Sequence, residues 1–379
     1  MIFMKKLLAF LLSFLFAALM PVQVYADDKK EPTAKSSILM CIETKDVIKE
    51  KNAHERLSPA SVTKIMSILL ILEAIDSGKI KLNDMVAASE NAVSMGGSQI
   101  WLEFGEEMSV DDLLKAVIIS SANDACTLLG EYVAGSSSAF VDMMNKKAKE
   151  LGLKDTNFEN CTGLDDDVTN HYSSAYDLAV IACEVMKYDL VTKYSTVWLD
   201  SLRNGETELN NTNKLVNTYN GITGLKTGTT SNAGFCLCAT ATRDGMSLVS
   251  VVLGSDSSDD RFNLSTQLLD YGFANYRLEK LTIDERNLKT VKVKKGTVKS
   301  IMPAVPEQQN VLTEKSSGEV ICKYNIKKEI NAPVKSGDKL GEIVYYSDSK
   351  KIASVALTAD RNVVKVSFSY IFSYLIKYI

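Results

Sequence analysis

Histidine is nearly absent from this 379-residue chain: there are two, His54 and His171. A zinc centre of the usual histidine-rich kind is thereby excluded, and no C-x-x-C pair offers thiolates instead, so neither a metal nor a cofactor is expected. A Ser-His-Asp triad would have to use one of those two rings, which turns any hydrolytic reading towards lysine as the base. The seven cysteines are odd in number and irregular in spacing, in a chain large enough to build its own core. They exclude a disulfide framework and are expected as buried thiols. Basic excess is missing too: the formal net charge is -4 and the pI near 5.5, which argues against a nucleic-acid surface. No repeat or low-complexity tract is evident.

What is present is an ordinary globular composition, 46% apolar, over a length that suits two folded domains plus short extras. Lys5 and Lys6 precede an apolar run from Leu7 to Leu19, and Val24-Tyr25-Ala26 ends on a small residue. The run is short against the ~20 residues of a membrane span, so residues 1–26 read as a cleaved secretory signal and 27–35 as a flexible leader. The protein is therefore expected outside the cytoplasm.

From residue 36 the patterning predicts two short strands (36–50) turning at Thr44-Lys45, then a helix from Ser61 to Ser77 that is apolar nearly all round and so central and buried. Ser109 and Asp112 look like a capping box for a helix that breaks at Ser120–Asn123. Further helices follow to Val133, over 137–151 and over 174–188. Residues 233–242 and 246–254 read as paired strands around an Asp244-Gly245 turn, and a last helix runs from Asp259 to Tyr276. First strands that pair with late strands around a helical block give an α+β or three-layer domain, 36–280. Short β-branched segments separated by Gly, Pro, Asn and Ser then make a small all-β domain, 281–364. In the final stretch Val364, Val366 and Phe368 alternate as in a strand. Beyond them Ser369, Ser373 and Lys377 recur opposite Phe372, Leu375, Ile376 and Ile379, so residues 365–379 are expected to hold an amphipathic helix lying in a membrane interface.

Three short polar clusters interrupt this pattern. Ser61-Val62-Thr63-Lys64 sets a hydroxyl and an amine one turn apart at a helix start, whose partial positive charge lowers a lysine pKa. Lys64 lies among Ile65, Met66, Ile68, Leu69 and Leu70, where desolvation would depress it further and let it take the serine proton. Ser121-Ala122-Asn123 places two polar side chains at an apolar helix junction, costly unless they are paired. Lys226-Thr227-Gly228-Thr229 leads into a strand, with cation and hydroxyls suited to a carboxylate and a glycine that lets another backbone approach.

Taken in order, S-x-x-K, S-x-N and K-T-G are the motif set of penicillin-recognising serine enzymes. On these and their contexts (RLSPASVTKIMS, SSANDA, FENCTGLDDDVTNHYSSAYDLA, TNKLVNTYNGITGLKTGTT and, later, PVKSGDKLGEI) the chain resembles low-molecular-mass penicillin-binding proteins, the D-Ala-D-Ala carboxypeptidases. The resemblance implies a β-lactamase/transpeptidase-like antiparallel sheet with a helical block, followed by the all-β domain. It implies Ser61 as nucleophile, Lys64 as base, Ser121 as proton relay, and Asn123 holding the substrate amide and the Lys64 ammonium. Lys226, Thr227 and Thr229 would bind the substrate carboxylate, with Gly228 between them, and the N–H groups of Ser61 and Thr229 would form the oxyanion hole. The partners implied are a peptidoglycan stem peptide ending in D-Ala-D-Ala, β-lactams that acylate Ser61, and a membrane surface for the terminal helix. The loop at Gly96, Gly97 and Ser98 falls beside that site, with a gating role to be tested. His171 and Asp177 read as structural anchors and His54 as exposed. Two rivals are a class A β-lactamase, whose E-x-x-L-N run is matched literally by Glu206–Asn210 but too close before Lys226, and a non-catalytic β-lactam sensor.

Overall fold

Period-two alternation decides the central layer. In the computed structural model, which describes residues 31–166, 168–305 and 309–376, strands β1 (Ser36–Cys41) and β2 (Val47–Lys51) form the expected first hairpin. Strands β3 (Ile222–Thr230), β4 (Gly234–Arg243) and β5 (Met246–Ser255) come late in the chain. Asp244 (φ 51) and Gly245 (φ 77) make the two-residue turn between β4 and β5, both in the left-handed region that such hairpins require. All pairings are antiparallel, in the order β2-β1-β5-β4-β3, so the first strand docks on the last. The expected signal peptide, the first residues of the leader and residues 377–379 lie outside the described residues.

Both faces of this sheet are covered, which is why β4 and β5 read as nearly continuous apolar runs. Ile38, Met40, Cys236, Cys238, Val249, Val251 and Leu253 face one core. Their neighbours Leu39, Cys41, Leu237, Ala239, Leu248 and Val252 face the other. Helix α6 (Ser258–Asn275) closes the second core with Phe262, Leu268, Leu269 and Phe273.

The first core holds the helical block: α1 (Lys64–Asp76), α2 (Val110–Ile119), α3 (Asn123–Ala134), α4 (Ser137–Glu150) and α5 (Ala175–Val185). Helix α1 is the central one, with every residue from Lys64 to Leu72 buried. It starts later than its apolar pattern suggests, because Ala60–Thr63 forms a 3-10 turn instead. The Ser109 capping box is present: its Oγ accepts from Asp112 N at 3.1 Å and donates to Asp112 Oδ2 at 3.0 Å. Helix α3 begins at Asn123 behind Ala122, which supplies no side-chain cap.

Beyond α6 the chain is strands almost throughout. Tyr276–Lys280 pairs with Asn310–Glu314, and a four-stranded sheet is built on the hairpin Lys339–Ser347 and Lys350–Ala359. Two small cores, around Val291, Val334 and Leu340 and around Ile343, Tyr345 and Leu357, fill this region. The terminal helix is Phe368–Ile376, so Phe368 starts the helix rather than ending a strand; Lys365 makes a single bridge to Gly296. Among the described residues no helix is long and apolar enough to cross a membrane.

One backbone crossing holds the Ala60–Thr63 turn in place. Gly163 has φ +84, and a Cβ there would sit 1.8 Å from Ala60 O and 2.8 Å from Thr63 Oγ1. Gly78, which ends α1 with φ +70, has open space around it. Gly163→Ala should therefore cost about 3 kcal/mol or more in urea unfolding, and Gly78→Ala only about 1 kcal/mol; equal losses would contradict the crossing.

Candidate active site

The turn Ala60–Thr63 brings Ser61 and Lys64 together: Lys64 Nζ donates to Ser61 Oγ at 2.9 Å and to Thr162 O at 2.9 Å. Ser61 is half-buried, while Lys64 is fully buried and has no carboxylate partner among the described residues. An ammonium there is poorly solvated, so burial lowers Lys64 from the ordinary lysine value to about 8. Two hydrogen-bond acceptors hold the amine where it can exchange a proton with Ser61.

Strand β3 forms the opposite wall. A Cβ on Gly228 would lie 2.8 Å from Pro59 O and 3.0 Å from both Ser61 N and Val62 N. Only glycine lets the strand edge approach the Ala60–Thr63 turn this closely. Lys226 is as deeply buried as Lys64, and burial together with the charges of Lys64 and Arg261 pushes it well below the lysine range. Its Nζ donates to Thr227 O at 2.9 Å. Thr227 Oγ1 donates to Thr212 Oγ1 at 2.7 Å, and Thr229, exposed, donates from Oγ1 to Gly228 O at 2.7 Å.

The α2–α3 junction supplies the third side. Ser121 is buried at φ 65; among the described residues its side chain makes no hydrogen bond to Lys64 or Lys226. Asn123 does not reach Lys64 here: its Nδ2 donates to Gly96 O at 2.6 Å, and the Lys64 amine is taken up by Thr162 O instead. Asn123 Oδ1 is buried without a partner, and the backbone N–H of Asn123 donates to Ser98 O at 2.7 Å. The Gly96–Ser98 loop thus packs directly on this junction; a Cβ on Gly97 would meet Asn123 Nδ2 at 2.8 Å.

Several contributors were not singled out from sequence. Thr162 acts through its carbonyl, which no side-chain pattern reveals. Arg261 is buried on α6 and donates to Gly228 O, Thr229 Oγ1 and Cys236 O at 3.0, 3.0 and 3.1 Å. Asp165 accepts from Ser58 Oγ at 2.9 Å and Thr230 Oγ1 at 2.6 Å, tying the nucleophile loop to β3. His171 accepts at Nδ1 from Glu159 N (3.0 Å), so its Nε2 carries the proton and donates to Thr63 Oγ1 (2.8 Å). Burial lowers its pKa to about 4, so the ring is neutral at pH 7 and anchors the turn. Asp177 sits in the first turn of α5, where its N–H donates to the Ser174 cap, and its carboxylate accepts from Thr156 Oγ1 and Asp155 N. Glu206 is exposed, beside a hairpin of Leu199–Leu202 and Thr207–Asn210. All seven cysteines are free, six of them buried, and among the described residues no three or more His, Cys, Asp or Glu side chains cluster as metal ligands.

An antiparallel sheet sandwiched by helices, with a Ser–Lys pair between a sheet edge and a helix junction, is the arrangement expected from the resemblance to penicillin-recognising serine enzymes. The family model described as D-alanyl-D-alanine carboxypeptidase matches residues 23–257, and that of the penicillin-binding protein 5 C-terminal domain matches 276–365. D-alanyl-D-alanine carboxypeptidase DacF of Bacillus subtilis (strain 168) is 43% identical over 340 residues, 88% of this chain and 87% of its own. Penicillin-binding protein 5 from Haemophilus influenzae superposes with a TM-score of 0.80 at 33% identity, covering 88% of this chain and 98% of its own. Penicillin-binding protein D2 from Listeria monocytogenes in its ampicillin-bound form gives 0.58 at 29%, covering 63% and 97%. The chain belongs to the D-alanyl-D-alanine carboxypeptidase family, enzymes within the low-molecular-mass penicillin-binding proteins.

With Lys64 at about 8, its neutral fraction grows as pH rises through that value. The second-order rate of Ser61 acylation by penicillin should climb about tenfold per pH unit below pH 7 and level off above 9. A limb that keeps rising to pH 10, followed by stopped-flow mass spectrometry, would place the lysine at its ordinary value and remove it as the base.

Proposed function

We propose that the protein is a serine-type D-Ala-D-Ala carboxypeptidase that removes the terminal D-alanine from the peptidoglycan pentapeptide through an acyl-enzyme on Ser61. The observation that carries this is the 2.9 Å contact between Ser61 Oγ and the wholly buried Lys64 Nζ. Neutral Lys64 takes the hydroxyl proton as Oγ attacks the carbonyl between the two D-alanines. The oxyanion is held by the N–H groups of Ser61 and Thr229, an arrangement commonly worth ~3–4 kcal/mol. The close approach of Gly228 to Ser61 N is what such a pair of donors needs.

Asn123 Oδ1, unpartnered and buried, accepts from the substrate amide. Lys226, Thr227 and Thr229 take the terminal carboxylate, and Arg261 behind Thr229 adds positive potential without a carboxylate of its own. Ser121 relays the proton to the leaving amine, after which water hydrolyses the ester. A β-lactam presents the same amide and carboxylate and acylates Ser61; in support, the Listeria monocytogenes relative has a structure in an ampicillin-bound form.

The domain reading goes with this function: a signal peptide over 1–26, a leader over 27–35, the catalytic domain over 36–280 and the all-β domain over 281–364. Residues 365–379 then rest on the outer face of the cytoplasmic membrane. In support, Phe368 is 85% and Phe372 57% exposed on a short apolar helix. Replacing both by Asp should lower co-sedimentation with phospholipid vesicles at least about tenfold; unchanged binding would leave the helix without that role.

The deciding assay is release of D-alanine from diacetyl-Lys-D-Ala-D-Ala, beside a nitrocefin trace and intact mass after penicillin. Steady release with a stable penicilloyl adduct is expected, and Ser61→Ala should abolish the adduct and lower release by at least about 10³-fold. Rapid nitrocefin turnover without D-alanine would make the protein a β-lactamase. An adduct with neither activity would make it a sensor.

A further inference from the structure

Trp101 is 73% exposed and Phe104 69% exposed, on a turn that the fold holds rigidly. The carboxylate of fully buried Asp124 accepts from Ile100 N (3.2 and 3.1 Å) and Leu102 N (3.2 Å), the two N–H groups that flank Trp101. Arg203, paired with Glu106, donates to Ile100 O at 2.9 Å. Between these anchors Trp101 is fixed at φ 59, an uncommon backbone for a bulky side chain. The buried side chains of Ile100 and Leu102 point inward while the indole is turned to solvent. A buried carboxylate, an ion pair and a left-handed residue are thus spent on displaying one large aromatic ring.

The display site is next to the catalytic cleft. Ser98 O accepts from Asn123 N at 2.7 Å, and Trp101 is three residues further on, within ~11 Å of chain. Asp124, which anchors the turn, is the residue after Asn123 on α3. A wall pentapeptide is ~17 Å long when extended, so a substrate with its D-Ala end at Ser61 has its amino-sugar chain outside the cleft and within ~17 Å of Ser61. Pyranose rings have apolar C–H faces that stack on aromatic rings, and exposed apolar surface beside a cleft marks a binding site.

We propose that Trp101, with Phe104 beside it, is a stacking platform for the glycan part of the wall glycopeptide. The proposal rests on the carboxypeptidase reading for what the cleft holds, but the platform has its own readout. The full-length protein has two tryptophans, Trp101 and Trp198. In a Trp198→Phe variant, titration with peptide-free glycan strands should shift and saturate the Trp101 emission. The kinetic arm compares kcat/KM for D-alanine release from disaccharide pentapeptide and from diacetyl-Lys-D-Ala-D-Ala. Trp101→Ala should lower the ratio of the two about three- to tenfold, and Trp101→Tyr should restore most of it. A ratio unmoved by Trp101→Ala, or an emission flat to saturating glycan, would overturn the platform. If the wild type releases no D-alanine from either substrate, the carboxypeptidase reading fails and the emission titration alone decides for or against the platform.

Discussion

A lysine amine kept out of water is the constraint on which the rest of the catalytic region depends. Lys64 begins a helix whose first nine residues are all buried, and among the described residues its ammonium has only Ser61 Oγ and Thr162 O as hydrogen-bond partners. Burying it unpaired disfavours folding while it is charged. Its folded pKa lies below the unfolded one, so stability on this account is lowest below about pH 8 and recovers as pH rises towards the ordinary lysine value. Lys226 repeats the situation on β3, where burial and the Lys64 charge both lower its pKa. Two buried amines without carboxylate partners among the described residues cost stability that apolar side chains at those positions would not.

The surrounding structure is arranged to hold that pair still. Three segments far apart in sequence meet at Ser61: the Ala60–Thr63 turn, the β3 edge at Gly228, and the loop at Gly163. Each crossing is close enough that a methyl group could not be added. Asp165 and His171 then tie the turn to β3 and to the Glu159 loop through neutral or charge-assisted hydrogen bonds. The pairing of β1 with β5 sets the sheet on which β3 is positioned, so the first strand of the domain contributes to a site it never touches.

Much of this was legible in the residues. The all-round apolar pattern of Ile65–Leu72 placed Lys64 in a buried helix, and two apolar runs flanking an Asp-Gly turn placed β4 and β5. The three polar clusters stood out because each interrupts an apolar pattern locally. The exact start of α1 was not legible, since the apolar pattern runs on through Ala60–Thr63, where the backbone is a 3-10 turn packed against Gly163. Thr162 and Arg261 were invisible for a related reason. One acts through a backbone carbonyl 98 residues from Lys64 and the other reaches β3 from 33 residues away. The Asn123–Lys64 contact implied by resemblance is replaced here by Asn123–Gly96, a loop contact that no motif encodes.

The most direct test of the account is the titration of the Lys64 amine itself. In full-length protein carrying 13C at the lysine ε-carbon, with the resonance assigned by Lys64→Met, a midpoint near about 8 is predicted. A midpoint near the ordinary lysine value would mean that the amine is solvated or paired in solution, and that Ser61 is not activated in this way.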